Sequence, residues 1–176
     1  VIQSRSSRTQ RGDETGLVRP VLLKRLGNEL TMLNVRFGLD LPPLPDDVVF
    51  PVILELTIAK VPALAAPENA ATVHRIRLAI SDEYPYERPR AVWLTPIFHP
   101  NIMDPADGGF VCVKMLSSWS FGSTLVSFVE GLEQLLRVPN PDSPLGTSSC
   151  LAAAAWCREH APKVNATVVY DAGNGS

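Results

Sequence analysis

Cys112 lies in the least regular stretch of the chain, Pro96 to Gly122, where Pro, Gly, Asp and aromatic residues follow no sustained period. Long irregular segments inside compact domains are usually functional. The run Gly108-Gly109-Phe110-Val111-Cys112 offers a thiol that a bulky partner can reach, unlike a cysteine on an apolar helix face. A reachable thiol exchanges acyl groups readily, because the thioester it forms has a good leaving group. Upstream, Asn101 carries a side-chain amide that can donate to an oxyanion. No histidine stands out as a general base for Cys112. A cysteine hydrolase would want a Cys–His pair with an orienting third residue. An acyl carrier wants the opposite, since its thioester has to outlast water until an amine arrives. His99 reads as a residue that holds the loop, Trp119 as packing, and Cys150 and Cys157 as core. Cys157 with His160 supplies two ligands, too few for a structural zinc site, so no metal is expected.

The elements that must position these groups follow from the pattern. Leu22, Leu23, Leu26, Leu30 and Leu33 share one face of a helix over 20–33, opened by Pro20, with Lys24, Arg25 and Asn28 on the other face. Residues 38–47 read as a loop. Residues 48–59 read as a strand whose Pro51 marks an edge. Residues 60–71, with Pro62 and Pro67, read as a turn region. Residues 72–80 alternate as a half-buried antiparallel strand, with Val73, Ile76, Leu78 and Ile80 against His74, Arg75, Arg77 and Ala79 and one phase slip at Arg75-Ile76. A short strand over 90–95 follows. Leu125, Phe128, Val129, Leu132, Leu135 and Leu136 predict a helix over 124–137, capped by Ser123 or Thr124. Residues 138–144 form a Pro-rich turn, and an Ala-rich helix runs to His160. Strands and helices are segregated, so the class is α+β with an antiparallel sheet.

Composition narrows the function classes. The 176 residues suffice for one domain with a real core. The net charge of -2 gives no global basic field for nucleic acid. No apolar run reaches the roughly 18–20 residues of a membrane span. Val1 to Thr15, with Arg5, Arg8 and Arg11, lacks the apolar region of a secretory signal and reads as a solvated tail. Three cysteines without framework spacing point to a reducing compartment, cytoplasmic or nuclear. The sequon at Asn165-Ala166-Thr167 would then go unused.

Tyr84-Pro85-Tyr86-Glu87-Arg88-Pro89, His99-Pro100-Asn101, Cys112, Trp119 and Pro139-Asn140-Pro141-Asp142-Ser143-Pro144-Leu145, in this order, resemble the ubiquitin-conjugating enzyme family from about Pro20 to His160. The resemblance implies the UBC fold: an N-terminal helix, a four-stranded antiparallel sheet, a catalytic segment and C-terminal helices. It implies a flexible tail over 1–17, a core domain over 18–163 and a second tail over 164–176. It implies that Cys112 accepts ubiquitin or a ubiquitin-like modifier from an activating enzyme and passes it, with a RING-type ligase, to substrate lysines. The activating enzyme consumes the ATP, so no cofactor is expected here, and the protein is expected to be monomeric. By the same resemblance Asn101 is catalytic or structural, His99 and Pro100 support the catalytic loop, and Asp142 and Ser143 gate the incoming lysine. Arg19, Lys24, Arg25, Tyr86, Ser120 and Phe121 fall where relatives meet ligases and the activating enzyme.

The chain also departs from the family pattern. The stretch between Asn101 and Cys112 is longer than usual, Lys114 stands where many relatives have Asp or Asn, and Ser143 where many have an acidic residue. Ser120-Phe121-Gly122 replaces a common Ser-Pro-Ala. Asn28-Glu29-Leu30, Pro45-Asp46-Asp47-Val48-Val49-Phe50 and Gly131-Leu132-Glu133-Gln134-Leu135-Leu136 resemble the branch that carries the Nedd-type (Rub-type) modifier. A member that binds modifiers without catalysis is the alternative, although such variants typically lack the cysteine.

Overall fold

A computed structural model describes residues 14–45, 47–112 and 119–160, with 14–19 described by their backbone alone. Helix α1 (Glu14–Phe37) leads into a sheet of β1 (Val52–Ala66), β2 (Asn69–Ile80) and β3 (Arg90–Trp93), followed by α2 (Leu125–Arg137) and α3 (Ser148–His160). The sheet is an antiparallel meander in the order β1-β2-β3. This is the expected α+β plan, with three differences that have physical causes.

The first helix starts six residues earlier than the proline suggests. Pro20 lies inside it, not in its first turn. Its apolar stripe buries Leu22, Leu26, Leu30 and Leu33, while Leu23 is only half-buried.

The stretch expected as a turn region is mostly strand. β1 runs on to Ala66, and only Pro67 and Glu68 turn. Pro62 is tolerated because β1 is the sheet edge and because the ladder breaks between Ala59 and Ala63, where Lys60 takes φ 64°. This bulge also resolves the apparent phase slip in β2. His74 points inward with Ile76, Leu78 and Ile80, and Val73 faces out, so the alternation is unbroken. His74 is fully buried because its Nε2–H donates to Val61 O at 2.9 Å, a carbonyl of the bulged segment, while its ring lies 5.5 Å from that of Trp93.

The resemblance implies four strands; among the described residues the sheet has three. Beyond β3 only single bridges continue it, Val92 with Phe110 and Ile102 with Val111. The chain is held close there by Trp93 N–H donating to Gly109 O at 2.7 Å. Gly109 has φ 67°, and a Cβ on it would meet Trp93 O at 2.3 Å, so only glycine fits.

The core lies between the inner sheet face and the two helices α1 and α2. Leu54, Leu56, Ile58, Ile76, Leu78 and Trp93 share one buried cluster with Phe128, Val129, Leu132 and Leu136 of α2, which packs on β1, and with the leucine stripe of α1, which packs on α2. The outer sheet face is polar in its middle, where Glu55 pairs with Arg75 at 2.9 Å and Arg77 at 2.7 Å. α2 begins with a capping box, Thr124 against Ser127, the second of the two expected caps.

One charged residue sits within this core. Glu29, 4% exposed, accepts from Arg25 Nε at 2.8 Å, from the Tyr84 hydroxyl at 2.5 Å and from Leu125 N–H at 2.7 Å. Its carboxylate therefore ties α1 to the segment before β3 and to the first turn of α2, where the helix dipole favours negative charge. Burial, together with that carboxylate, raises the Tyr84 phenol far above its usual range and keeps it a donor. Glu29→Ala leaves a buried hydroxyl and a buried N–H without their acceptor. It should cost about 3 kcal/mol, with Glu29→Gln losing less, as read by urea unfolding of the full chain. A loss under about 1 kcal/mol would show that water replaces the carboxylate.

Candidate functional site

The geometry of the site begins at His99. Its ring is buried, and both nitrogens are engaged: Nε2–H donates to Leu135 O of α2 at 3.0 Å, and Nδ1 accepts from Asn101 N–H at 3.0 Å. That pair of bonds fixes one neutral tautomer. Burial pushes the imidazolium pKa down to about 4. His99 thus anchors the His99-Pro100-Asn101 turn to the end of α2 and has no lone pair to spare for a base.

Asn101 is fully buried and spends its whole amide on one loop. Its Oδ1 accepts from Asn140 N–H at 2.7 Å, and its Nδ2 donates to Asn140 O and Ser143 O, both at 3.0 Å. Pro100 adds a main-chain strap, its carbonyl accepting from Leu145 N–H at 2.8 Å. Of the two roles open to Asn101, the geometry favours holding the loop over donating to an oxyanion, since both amide hydrogens are already bonded. Cys112 joins the same assembly through its N–H, which donates to Asn101 O at 2.9 Å. Its side chain is half-buried, on a backbone that comes out of the tight Gly108-Gly109 turn.

The longer stretch between Asn101 and Cys112 is built, not slack. Asp104 accepts from Ile97 N–H at 3.1 Å and from Ala106 N–H at 2.9 Å, and it caps a 3-10 turn over Pro105–Asp107. The Ser149 hydroxyl of α3 donates to Asp107.

Asp142 and Ser143 sit on the strapped loop. Asp142 has 89% of its side chain exposed, and Ser143 is exposed as well. Residue 158, which pattern reasoning passed over, reaches this loop: Arg158 of α3 donates to Pro141 O, and its Nε lies 3.8 Å from Asp142 Oδ1.

The expected contact residues behave differently from one another. Tyr86 and Phe121 form an exposed pair with ring centroids 5.5 Å apart. Ser120 closes a tight turn with Ser123, its N–H donating to Ser123 Oγ at 2.9 Å. Lys24 is exposed. Arg25 is not part of a solvated face: besides Glu29 it donates to Ser123 O at 2.7 Å and lies over the rings of Tyr84 and Phe121, at 5.5 and 5.1 Å. It is committed internally because the helix turn that buries Leu22 and Leu26 also points it at the 119–123 turn. The Arg19 side chain and Lys114 lie outside the described residues, as do residues 1–13 of the first expected tail, 161–163 at the end of the expected core domain and the whole second tail, 164–176.

The remaining cysteines divide. Cys150 is buried and donates to Ile102 O at 3.5 Å, as a core residue should. Cys157 is only half-buried, contrary to expectation, with its thiol pushed up by burial. His160 stacks on Trp156 and its Nδ1–H donates to Trp156 O at 2.8 Å. Among the described residues no group of three or more His, Cys, Asp or Glu could hold a metal ion.

Trp119 does pack: its Nε1–H donates to Pro85 O at 2.7 Å, and it meets Tyr84 and Phe128. Glu29 and Arg158 were missed at the level of sequence. An acid inside the Leu22-Leu26-Leu30-Leu33 stripe, four residues after an arginine, was the available signal for the first. Nothing in the pattern marks the second.

Comparison with known proteins adds a separate line of support. A family model described as ubiquitin-conjugating enzyme matches residues 60–169. Ubiquitin-conjugating enzyme E2 T of Bos taurus is 36% identical over 78 residues, covering 42% of this chain and 38% of that protein. Ubiquitin-conjugating enzyme E2 S of Drosophila grimshawi is 32% identical over 111 residues, covering 60% of this chain and 52% of that protein. The chain thus spans about half the length, or less, of these relatives. The solved structure of S. cerevisiae Ubc12 shares 27% identity over 77% of this chain and 69% of its own, with a TM-score of 0.48.

The neutral, buried His99 makes a pH prediction. An unfolded imidazole takes up its proton near 6.5 and the folded one only near 4, so the unfolded state binds more protons between those values. The contribution is complete above about 6.5, falls as pH drops and is fully lost below about 4, a total of about 3 kcal/mol. Urea unfolding between pH 7 and 4.5 should show this slope in the native chain, and a flatter one in His99→Gln. Equal slopes in the two would contradict it.

Proposed function

Because this chain belongs to the ubiquitin-conjugating enzyme family, we propose that it carries a ubiquitin-like modifier as a thioester on Cys112 and delivers it to lysine. The observation that supports this reading best is the placement of Cys112. Its half-exposed thiol emerges from a glycine turn, and its own N–H is bonded to the residue that straps the 140–143 loop beside it.

The chemistry has two exchanges. In the first, the Cys112 thiolate attacks the modifier's C-terminal carbonyl on the activating enzyme's cysteine, the new C–S bond forms, and the old thiolate leaves. In the second, a lysine nitrogen attacks the Cys112 thioester and the Cys112 thiolate leaves. The surroundings suit a carrier better than a hydrolase. His99, the histidine of the catalytic segment, has both nitrogens bonded and its protonation suppressed, so it does not activate water. In this reading Asn101 acts by holding the loop, and Asp142 is the acidic group met by an incoming lysine. The exposed Tyr86–Phe121 pair is the ligase-facing surface, and Lys24, exposed on α1, faces the activating enzyme.

For the modifier, the Nedd type is proposed over ubiquitin. The matches in α1 and α2 favour the Nedd type, while the relatives named above carry ubiquitin in their names. Glu29 has a structural reason of its own, which removes one of the Nedd-type matches from the balance. The core domain is proposed to span 18–163. Among the described residues no helix is long and apolar enough to cross a membrane.

The test is charging. The protein is incubated with ATP, the matching activating enzyme and either ubiquitin or the Nedd-type modifier, then run on gels with and without reductant. A reductant-sensitive adduct, absent from Cys112→Ala, is expected with one of the two, and the one that charges identifies the branch. No adduct with either, using activating enzymes that charge other carriers, would overturn the assignment of Cys112.

A further inference from the structure

The 140–143 loop is held from two sides, and only one of them is buried. From beneath, Asn101 binds Asn140 and Ser143. From above, Arg158 donates to Pro141 O and approaches Asp142 Oδ1 at 3.8 Å. Asp142 N–H is further folded back onto Asn140 Oδ1 at 3.0 Å.

Arg158 projects from a fixed support. The first turn of α3 is tied to the catalytic segment by Cys150 Sγ–H donating to Ile102 O, and the chain just before the helix by Leu145 N–H on Pro100 O. Ala153 and Ala154 are buried against the body, small enough to let the helix lie close. The helix thus presents a guanidinium, whose planar fork can meet a carbonyl and a carboxylate together, to the one acidic side chain of the loop.

We propose that Arg158 is a positioning residue for lysine transfer: it fixes the 141–142 peptide and orients the Asp142 carboxylate toward the amine that attacks the Cys112 thioester. This rests on the reading of Cys112 above. An incoming lysine arrives as an ammonium. It loses one proton to solvent, its nitrogen bonds to the thioester carbon as the C–S bond breaks, and the second proton goes to the departing Cys112 thiolate. A freely turning carboxylate, 89% exposed, guides that approach poorly; one held at its backbone and near its oxygen guides it well. A small nucleophile that is uncharged near neutral pH, such as hydroxylamine, needs no such guidance.

The experiment charges the native chain, Arg158→Ala, Arg158→Gln and Arg158→Lys with whichever modifier the protein accepts, stops the activating enzyme by chelating its magnesium, and follows discharge to free lysine and, separately, to hydroxylamine. Charging should be unchanged in all variants. Discharge to lysine should fall about 3- to 10-fold in the Ala and Gln variants, with partial rescue by Lys, while discharge to hydroxylamine stays within about twofold. In an Asp142→Asn background the Arg158→Ala effect should shrink. Unchanged lysine discharge, or an equal fall with both nucleophiles, overturns the inference and leaves the carrier reading intact. A native chain that accepts no modifier overturns both.

Discussion

A single buried carboxylate connects the parts of this molecule that the chain order keeps apart. Glu29 takes a side-chain bond from α1, one from the segment before β3 and one from the first N–H of α2. Three donors, one of them charged, hold this carboxylate in place, and it fixes how α1 and α2 meet. The consequences run outward. α2 placed by its first turn puts Leu135 O where His99 can donate to it, and His99 in turn sets Asn101. From Asn101 the order passes to Cys112 on one side and to the 140–143 loop on the other.

Arg25 shows how the same carboxylate reaches the surface. Its guanidinium bonds Glu29 and Ser123 O while lying over Tyr84 and Phe121. The exposed Tyr86–Phe121 pair is therefore backed by a cation that is itself tied to the core. A phenylalanine at position 121 gains a partner in Arg25 that a smaller ring would meet less fully. That gives this departure from the family pattern a local physical reason.

Much of this was legible in the sequence, and the failures have causes. α2 was readable because its apolar residues keep strict helical spacing and Thr124 precedes them. The grouping of Cys112, Asn101 and His99 was readable because they occur in one irregular stretch. The β1–β2 hairpin was cut short because prolines ordinarily end strands, and a bulge on an edge strand removes that penalty. His74 was assigned to the polar side because type was taken for orientation; a histidine with a waiting carbonyl is an inward residue. Arg25 and Arg158 were unreadable as ligands of carbonyls, since their partners, Ser123 O and Pro141 O, are distant in sequence and have no side-chain signature.

The loop beside Cys112 is gripped almost entirely by its main chain: the carbonyls of Asn140, Pro141 and Ser143 and the N–H groups of Asn140 and Leu145 carry the tethers. A tether that ends on the backbone does not depend on the side chain it passes. Position 143 is therefore mechanically uncoupled from the loop's placement, and Ser143 can stand where the family resemblance implies an acid without the loop moving. The chain holds its scaffold constant while the charge presented there remains an independent variable, so the selectivity of the site can drift by single substitutions that cost the fold nothing.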